Sequence, residues 1–302
     1  MTPIIERYHR APSAPAFMAR ALLPVRGLRQ GGAFPRLVLR WSDLRIAPHH
    51  WAAYGAATGA REAEPVPVLY PHVLGFRLQM ALLTHPAFGL PIWRALQVRN
   101  RLTRHAHIDR RESFDLETRV DGHRPVAKGL EVDLSSRLTC GSACVWESRV
   151  TYFYRGYRDQ SATDPPGAPL ASAPDLSHAP VVDRWRMPGD GGWRFGALTG
   201  DYNGIHWSRW YARRFGFQSA FIHPQRVAGL CLARLQEPSS EAQTLDLWLR
   251  GPVPYGANVE LEAGIGRDEL QFALSLAGDQ RRALVGSWAP RPIGGDAVDG
   301  AG

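Results

Sequence analysis

The pattern of apolar and polar positions repeats one order of elements along the chain. In the first part, residues 37–40 predict a strand and residues 47–58 a short helix. Residues 73–84 are apolar nearly all round, which predicts a buried helix. Strands bounded by turn residues are predicted at residues 92–98, 113–120, 127–138 and 143–154. Asp121-Gly122 and Cys140-Gly141-Ser142 predict hairpins between them, and a helix followed by a meander predicts an α+β domain.

The second part follows the same order. Residues 181–187 predict a strand, and residues 207–215 predict an amphipathic helical segment. Residues 227–235 predict a second buried helix. Four further strands follow this helix. These strands are predicted at residues 244–250, 257–265, 269–276 and 281–288. The chain is therefore a degenerate internal repeat with a period of about 150 residues.

A segment without periodicity separates the two parts. Residues 158–179 are rich in Ala, Pro, Ser and Asp, a composition typical of linkers. The first residues are also polar and broken by Pro and Gly, and the last ones follow the final strand. The predicted division is an N-terminal arm (1–33), a first repeat (34–157), the linker (158–179), a second repeat (180–290) and a flexible tail (291–302).

The densest group of reactive side chains lies just before the second buried helix, in Gly200-Asp201-Tyr202-Asn203-Gly204-Ile205-His206. A carboxylate and an imidazole five positions apart on a tight loop can share one small reactant such as water. Asn203 can hold the loop or position a substrate carbonyl. An Asx-turn beside an ordinary histidine remains open as the structural alternative.

This loop and the residues after it resemble the MaoC-like, (R)-specific enoyl-thioester hydratases of the double-hotdog type. The matching residues are Gly200, Asp201, Asn203, His206, Ala212, Gly216-Phe217 and Ile222-His223-Pro224-Gln225. The resemblance extends over about residues 35–290, although only the second repeat carries the motif. It implies two hotdog units, each a buried helix wrapped by an antiparallel sheet. It also implies that the first unit has lost the catalytic loop and shapes an acyl tunnel.

The resemblance implies reversible syn hydration of a trans-2-enoyl thioester to an (R)-3-hydroxyacyl thioester. Asp201 and His206 would activate water and move its proton, without a metal or an organic cofactor. The implied partner is an acyl thioester of coenzyme A or of acyl carrier protein. The further residues expected to position the loop or bind substrate are Gly200, Tyr202, Asn203, His223 and Gln225.

Pro224 departs from the family pattern. There a glycine follows the histidine and offers its backbone N–H to the thioester oxygen, whereas proline has no N–H to offer. Proline does favour the first position of a helix. Three interpretations stay open: a hydratase in which the N–H or side-chain amide of Gln225 substitutes, a non-catalytic acyl-thioester-binding protein, and a hotdog thioesterase.

Charge and composition narrow the class of partner. The net charge of +8 and the isoelectric point near 9.8 suit an acidic partner, such as a phosphorylated carrier. The arginines are scattered, which argues against a nucleic-acid groove. No apolar run approaches the length of a membrane span or of a signal sequence. We therefore predict a cytoplasmic protein without nucleic-acid or membrane partners, for which a homodimer is possible.

Two other groups of side chains could carry chemistry. Cys140, Cys144 and Cys231 form neither an even disulfide set nor a paired zinc pattern, so we predict reduced, buried thiols. His105, His107 and Asp109 could bind a metal if they lay on one strand. Arginines crowd the same segment and would repel a cation, so we predict a solvated turn and no metal site.

Overall fold

A computed structural model describes residues 3–25, 34, 36–61, 65–156, 173–235, 241–266, 268–279 and 281–290. The predicted tail (291–302) and most of the predicted linker, residues 158–172, lie outside the described residues. Part of the predicted N-terminal arm does as well.

The helices and strands of the first part begin within the N-terminal arm. In chain order they are β1 (Ile4–Tyr8), α1 (Ala14–Ala21), β2 (Leu37–Arg45), α2 (Pro48–Thr58), α3 (Tyr70–Leu83), β3 (Ala95–Arg104), β4 (Ser113–Val126), β5 (Gly129–Cys140) and β6 (Ala143–Arg155). A 3₁₀ turn at Ile92–Arg94 precedes β3.

The second part adds three helices and five strands. They are β7 (Val181–Arg186), α4 (Gly192–Thr199), α5 (Arg209–Arg214), α6 (Pro224–Leu232), β8 (Gln243–Leu249), β9 (Asn258–Ile265), β10 (Leu270–Leu276) and β11 (Arg282–Ala289). A 3₁₀ turn at Gly204–His206 lies between α4 and α5.

All strands join one sheet, in the order β1-β2-β4-β5-β6-β3-β8-β11-β10-β9-β7. Apart from β1, which pairs in parallel with β2, neighbouring strands are antiparallel. When β1 is left aside and the strands are counted within each part, the order from the outer edge to the centre is first, third, fourth, fifth and second strand in both. The two parts meet where β3 pairs with β8. The repeat inferred from the pattern is therefore also a repeat of topology.

The two buried helices, α3 and α6, lie in the hydrophobic core. Every residue of α3 except Arg77 is buried, and every residue of α6 except Pro224. A helix buried on all faces has no need of a polar stripe, which explains why α3 is apolar all round. The exception, Arg77, reaches out and donates a hydrogen bond to the carbonyl oxygen of Ala197 on α4, at 2.7 Å.

The structure corrects several predicted boundaries. Asp121-Gly122 is not a turn: it lies inside β4, where the pairing with β5 shifts register between Val120 and Gly122. A glycine in a strand marks such a bulge as readily as a hairpin, and the actual connection lies between Val126 and Gly129. Helix α3 begins at Tyr70, so Pro71 and His72 belong to its first turn, where proline is tolerated.

The N-terminal arm is more structured than predicted. Its residues form β1 and α1, and Phe17 of α1 is fully buried. The cysteines are unpaired as predicted, but only Cys231 is fully buried, and Cys140 and Cys144 are half-buried near a hairpin turn. Over the described ranges, no helix combines the length and hydropathy needed to cross a membrane.

Candidate active site

The loop that follows α4 is held by hydrogen bonds from its own backbone. Helix α4 ends at Gly200, which is left-handed with φ of 79°. The backbone N–H of Asp201 then donates to Thr199 Oγ1 at 3.1 Å, and the N–H of Asn203 donates to Asp201 Oδ1 at 3.1 Å. Asn203 Oδ1 in turn accepts from the N–H of Ile205 at 3.3 Å. These Asx-turns fix the loop and leave the second carboxylate oxygen of Asp201 for other partners.

Glycines in α4 let the loop lie against the helix. A Cβ at Gly196 would stand 2.7 Å from the carbonyl oxygen of Asp201, and one at Gly192 would overlap the carbonyl oxygen of His206. The same His206 carbonyl accepts a hydrogen bond from the hydroxyl of Tyr255 at 2.8 Å. The backbone at both predicted catalytic residues is therefore fixed by close packing.

His206 is buried, and its tautomer follows from its partner. Its Nδ1 lies 3.0 Å from the carbonyl oxygen of Phe221. A carbonyl can only accept, so Nδ1 carries the hydrogen and Nε2 has the free lone pair. Burial lowers the pKa of His206, an effect that Asp201 and the Phe221 carbonyl partly offset. The imidazole is therefore neutral near pH 7, with a basic nitrogen.

That nitrogen faces the carboxylate of Asp201. His206 Nε2 lies 3.6 Å from Asp201 Oδ2, too far for a direct hydrogen bond. One water or hydroxyl oxygen placed beside the pair can reach both atoms at ordinary hydrogen-bond distances. The arrangement can orient such an oxygen and accept a proton from it.

His223 lies behind this pair rather than beside it. It is the residue before α6, fully buried, and its ring stacks on that of His206 with 3.8 Å between centroids. Its Nε2 donates to the carbonyl oxygen of Asp201 at 3.0 Å. Burial, then the nearby His206, holds the pKa of His223 well below its usual value. Because the ring of His223 is neutral and donates a hydrogen bond to the backbone of Asp201, we assign it a role in positioning the loop.

A cavity of about 580 Å³ opens onto Asp201 and His206, and both parts of the chain line it. Asn203, Pro224 and Gln225 also belong to its wall on the second side. The first part contributes an apolar wall and two polar groups. They are Phe76, Met80 and Leu83 from α3, with Gln97 of β3 and Tyr152 of β6. The volume of the cavity and its largely apolar lining with a few polar groups are those expected of a site for a small-molecule ligand.

Three of the predicted residues lie outside the cavity wall. Gly200 is the helix terminus, and His223 packs behind the pair. Tyr202 packs on the ring of Trp193, 4.7 Å away, while its carbonyl oxygen accepts from the indole of Trp207 at 3.0 Å. Trp207 and Trp193 are themselves exposed. The aromatic side chains around the loop thus cover its outer face.

Polar residues of the first part and Tyr255 were missed from the sequence. His72 and Gln79 are buried in α3, seven positions apart and therefore on one face of the helix. Two polar side chains at that spacing in an otherwise apolar helix are a signal that could have identified them. Tyr152 lay within a predicted strand and gave no such signal.

Among the described residues, two groups of side chains bring potential metal-ligand atoms close together. Asp201, His206 and His223 lie close together, but the two rings are stacked, so their in-plane lone pairs do not converge on one point. The other group is His105, Cys144 and Glu147. Hydrogen bonds that the ring of His105 donates to Cys144 and Glu147 raise its pKa to about 9, so a cation would have to displace a proton. His107 and Asp109 fall in the turn after β3, which ends at Arg104.

The chain was compared with known proteins. No family model matches the sequence. It is 27% identical over 232 residues to 3-hydroxyacyl-thioester dehydratase X of Mycobacterium tuberculosis, which covers 77% of this chain and 81% of that protein. The crystal structure of HtdX from the same organism superposes with a TM-score of 0.71 at 24% identity, covering 83% of this chain and 98% of that one.

Two further solved structures share the fold. A MaoC-like dehydratase from Phytophthora capsici gives a TM-score of 0.66 at 15% identity, covering 85% of this chain and 95% of the other. A Mycobacterium tuberculosis protein described as having a double hotdog fold gives 0.54 at 15% identity, over 87% and 99% of the two chains. The predicted double hotdog is therefore confirmed. In sequence the chain is similar to a 3-hydroxyacyl-thioester dehydratase, and in fold to MaoC-like dehydratases, as the motif indicated.

Proposed function

We propose that the protein catalyses the reversible hydration of trans-2-enoyl thioesters to (R)-3-hydroxyacyl thioesters. The observation that carries the proposal is the 3.6 Å separation of Asp201 Oδ2 and His206 Nε2 on the wall of a largely apolar cavity. The similarity to a 3-hydroxyacyl-thioester dehydratase also supports this proposal. In this proposal residues 34–157 supply one side of the acyl-chain wall, and residues 180–290 supply the acid–base pair and the larger part of the wall.

In the proposed reaction Asp201 and His206 have different roles. Asp201 Oδ2 accepts one hydrogen of the water and orients it, while His206 Nε2 removes the other as the oxygen attacks C3. The imidazolium then delivers that proton to C2 from the side on which the oxygen added. Water is thus added as H and OH to one face, and the reverse sequence removes it. The Nδ1 bond to Phe221 keeps the ring in the tautomer that this requires.

The substrate carrier is part of the proposal. Coenzyme A and the phosphopantetheine arm of acyl carrier protein present the same thioester, and the chain's net charge of +8 suits either acidic carrier. We expect comparable chemistry on both and a difference in KM. Crotonyl and longer enoyl thioesters on each carrier, assayed side by side, measure that preference.

The test is the decay of enoyl-thioester absorbance with crotonyl and longer trans-2-enoyl coenzyme A. Asp201→Asn should lower kcat by about a thousandfold, because the amide cannot act as the carboxylate acceptor. Asp190→Asn is the matched control: that carboxylate is exposed and pairs with Arg194 on the surface. It should leave the rate unchanged.

Other outcomes would support the alternative functions. Release of free thiol, without loss of the double bond, would make the protein a thioesterase. Tight binding of the enoyl thioester without any turnover would make it a non-catalytic binder. Equal rates for the wild type and Asp201→Asn would contradict the assigned acid–base pair.

A further inference from the structure

The proposed reaction builds negative charge on the thioester oxygen, and Pro224 cannot donate a backbone hydrogen bond to it. Gln225, the next residue, lines the cavity together with Asp201 and His206. Its side chain is buried, and its Nε2 lies 3.3 Å from Oε1 of Gln97 on β3. A side-chain amide therefore lies beside the position where the backbone donor is lost, and its orientation decides whether its oxygen or its N–H₂ group faces the cavity.

Gln225 is the end of a buried chain of polar side chains that crosses into the first part. Gln97 Nε2 lies 3.4 Å from His72 Nε2, and His72 Nδ1 lies 3.4 Å from Gln79 Nε2. The hydroxyl of Tyr152 donates to Gln79 Oε1 at 3.1 Å. His72, Gln79, Tyr152 and Gln225 are all buried, and both ends of the chain line the cavity.

Counting hydrogens constrains the orientation of this chain. Burial lowers the pKa of His72 to about 3, so its ring is neutral and offers one donor and one acceptor. The amide nitrogens of Gln79 and Gln97 both face that ring, which would place two donors against one acceptor. One of the two amides must therefore be turned about its last bond, a choice that hydrogen bonding decides.

Tyr152 determines which amide is turned. Burial raises its pKa far above the usual range, so the hydroxyl keeps its proton, and its partner in the structure is Gln79 Oε1, to which it donates at 3.1 Å. Gln79 Nε2 then donates to His72 Nδ1, and His72 Nε2 carries the hydrogen. Gln97 must present its oxygen to His72, and its N–H₂ group then faces Gln225. The amide of Gln225 must be turned as well, so that its oxygen accepts from Gln97. The N–H₂ group of Gln225 is left to face the cavity.

We propose that the side-chain amide of Gln225 is the oxyanion donor of this protein, taking the place of the backbone N–H that Pro224 lacks, and that Gln97 and His72 hold it in that orientation. The inference rests on the proposed hydratase function. Hydrogen bonds in the buried chain polarise one another, so the terminal N–H is a better donor than an isolated amide. Gln225 touches the substrate; Gln97 and His72 act through it as positioning residues.

The test compares kcat and KM for crotonyl coenzyme A. Gln225→Leu should lower kcat by about 100- to 1,000-fold with little change in KM, because an oxyanion donor acts mainly in the transition state. Gln225→Glu keeps the volume but offers only acceptors, so it should lose at least as much. The double variant Pro224→Gly/Gln225→Leu restores a backbone N–H and should recover about tenfold or more over Gln225→Leu.

The positioning role has its own readout. Gln97→Leu should lower kcat about tenfold at unchanged KM, since it frees the Gln225 amide to rotate without removing it. Gln243→Leu is the matched control: this buried glutamine of β8 does not line the cavity. Its kcat should stay at the wild-type value, and circular dichroism should verify that each variant is folded.

The outcomes separate this inference from the function on which it rests. Full activity of folded Gln225→Leu or Gln225→Glu, with Asp201→Asn inactive, would overturn the assignment of the donor and keep the hydratase. A normal Gln225→Leu beside an inactive Tyr152→Phe would move the donor to the other end of the chain and also overturn it. A wild type that does not hydrate enoyl thioesters would overturn both.

Discussion

The helix that precedes the site in the second part has a close counterpart in the first part. Helix α4 ends in Gly196-Ala197-Leu198-Thr199-Gly200-Asp201, and α2 ends in Gly55-Ala56-Ala57-Thr58-Gly59-Ala60. Both final glycines are left-handed, and each donates its N–H to the carbonyl of the earlier glycine at 2.7 Å. The geometry that aims Asp201 is thus present twice.

What differs is the chemistry placed on that geometry. Ala60 stands where the second part has Asp201, and five positions later Pro65 stands where it has His206. The helix starts also match, because Pro71-His72 of α3 corresponds to Pro224-Gln225 of α6, and the two polar side chains meet through Gln97. The first part has the same scaffold without the carboxylate and the imidazole. A helix end can therefore be preserved by packing alone.

Removing His206 should produce the largest effect, because the second loop would then lack a proton acceptor, as the first loop does. His206→Ala should lower kcat/KM by about a thousandfold, since it removes the proton acceptor. In the wild type, kcat/KM should be flat near pH 7 and fall on the acid side, as protonation of His206 removes the base. Its pKa is lowered by burial, so this fall should lie below about pH 6.5.

His107→Ala, at an exposed histidine of the first part, is the control and should leave both the rate and the pH profile unchanged. A His206→Ala enzyme with an unaltered acid limb would show that another group controls the profile.

The paired glycines allow a sharper comparison. A Cβ would stand 2.7 Å from the next carbonyl oxygen at both Gly55 and Gly196, that of Ala60 or of Asp201. Gly196→Ala must therefore shift the Asp201 backbone and should lower kcat/KM by about 100-fold. Gly55→Ala should strain its helix end equally but leave kcat/KM within about threefold.

The measurement is kcat/KM beside the thermal midpoint of each variant. Similar losses of stability with different losses of activity would support the comparison. Equal losses of activity would show that the end of α2 also supports the site.

The fold was largely predictable because hydrophobic patterning is a local property. The helices α3 and α6 and the antiparallel strands follow from apolar runs bounded by turn residues. Asp121-Gly122 was misassigned because a bulge and a hairpin turn favour the same residues. The repeated helix end is also visible as two six-residue segments with four identical positions, but Gly, Ala and Thr are common residues and four such identities do not by themselves indicate a repeat.

The site was only partly predictable. Asp201 and His206 lie within one short loop, so their proximity follows from their spacing. The contact between Gln225 and Gln97 joins residues 128 positions apart, and its existence depends on how the two parts pack. No periodicity encodes such a contact. Pro224 indicated that the thioester oxygen would need another hydrogen-bond donor, although it did not indicate which atom supplies it.

The smallest expected effect concerns stability. It involves His72, the buried histidine of the first part, and not His206. Burial depresses the pKa of His72 to about 3, whereas in the unfolded chain it lies near 6.5. Below about pH 6.5 the unfolded state takes up a proton at this position and the folded state does not, so stability falls as the pH is lowered towards 3. Between pH 7 and pH 5 the wild type should lose about 2 kcal/mol of unfolding free energy through His72.

His72→Gln retains an amide that can bond Gln79 and Gln97 but does not titrate. In urea unfolding at the two pH values, this variant should therefore lose about 2 kcal/mol less than the wild type. His9→Gln, at an exposed histidine, should lose as much as the wild type does. An equal loss in wild type and His72→Gln would mean that the buried chain accepts a proton in the folded state. It would then contain an imidazolium, and the hydrogen bond between His72 and Gln79 would reverse its direction.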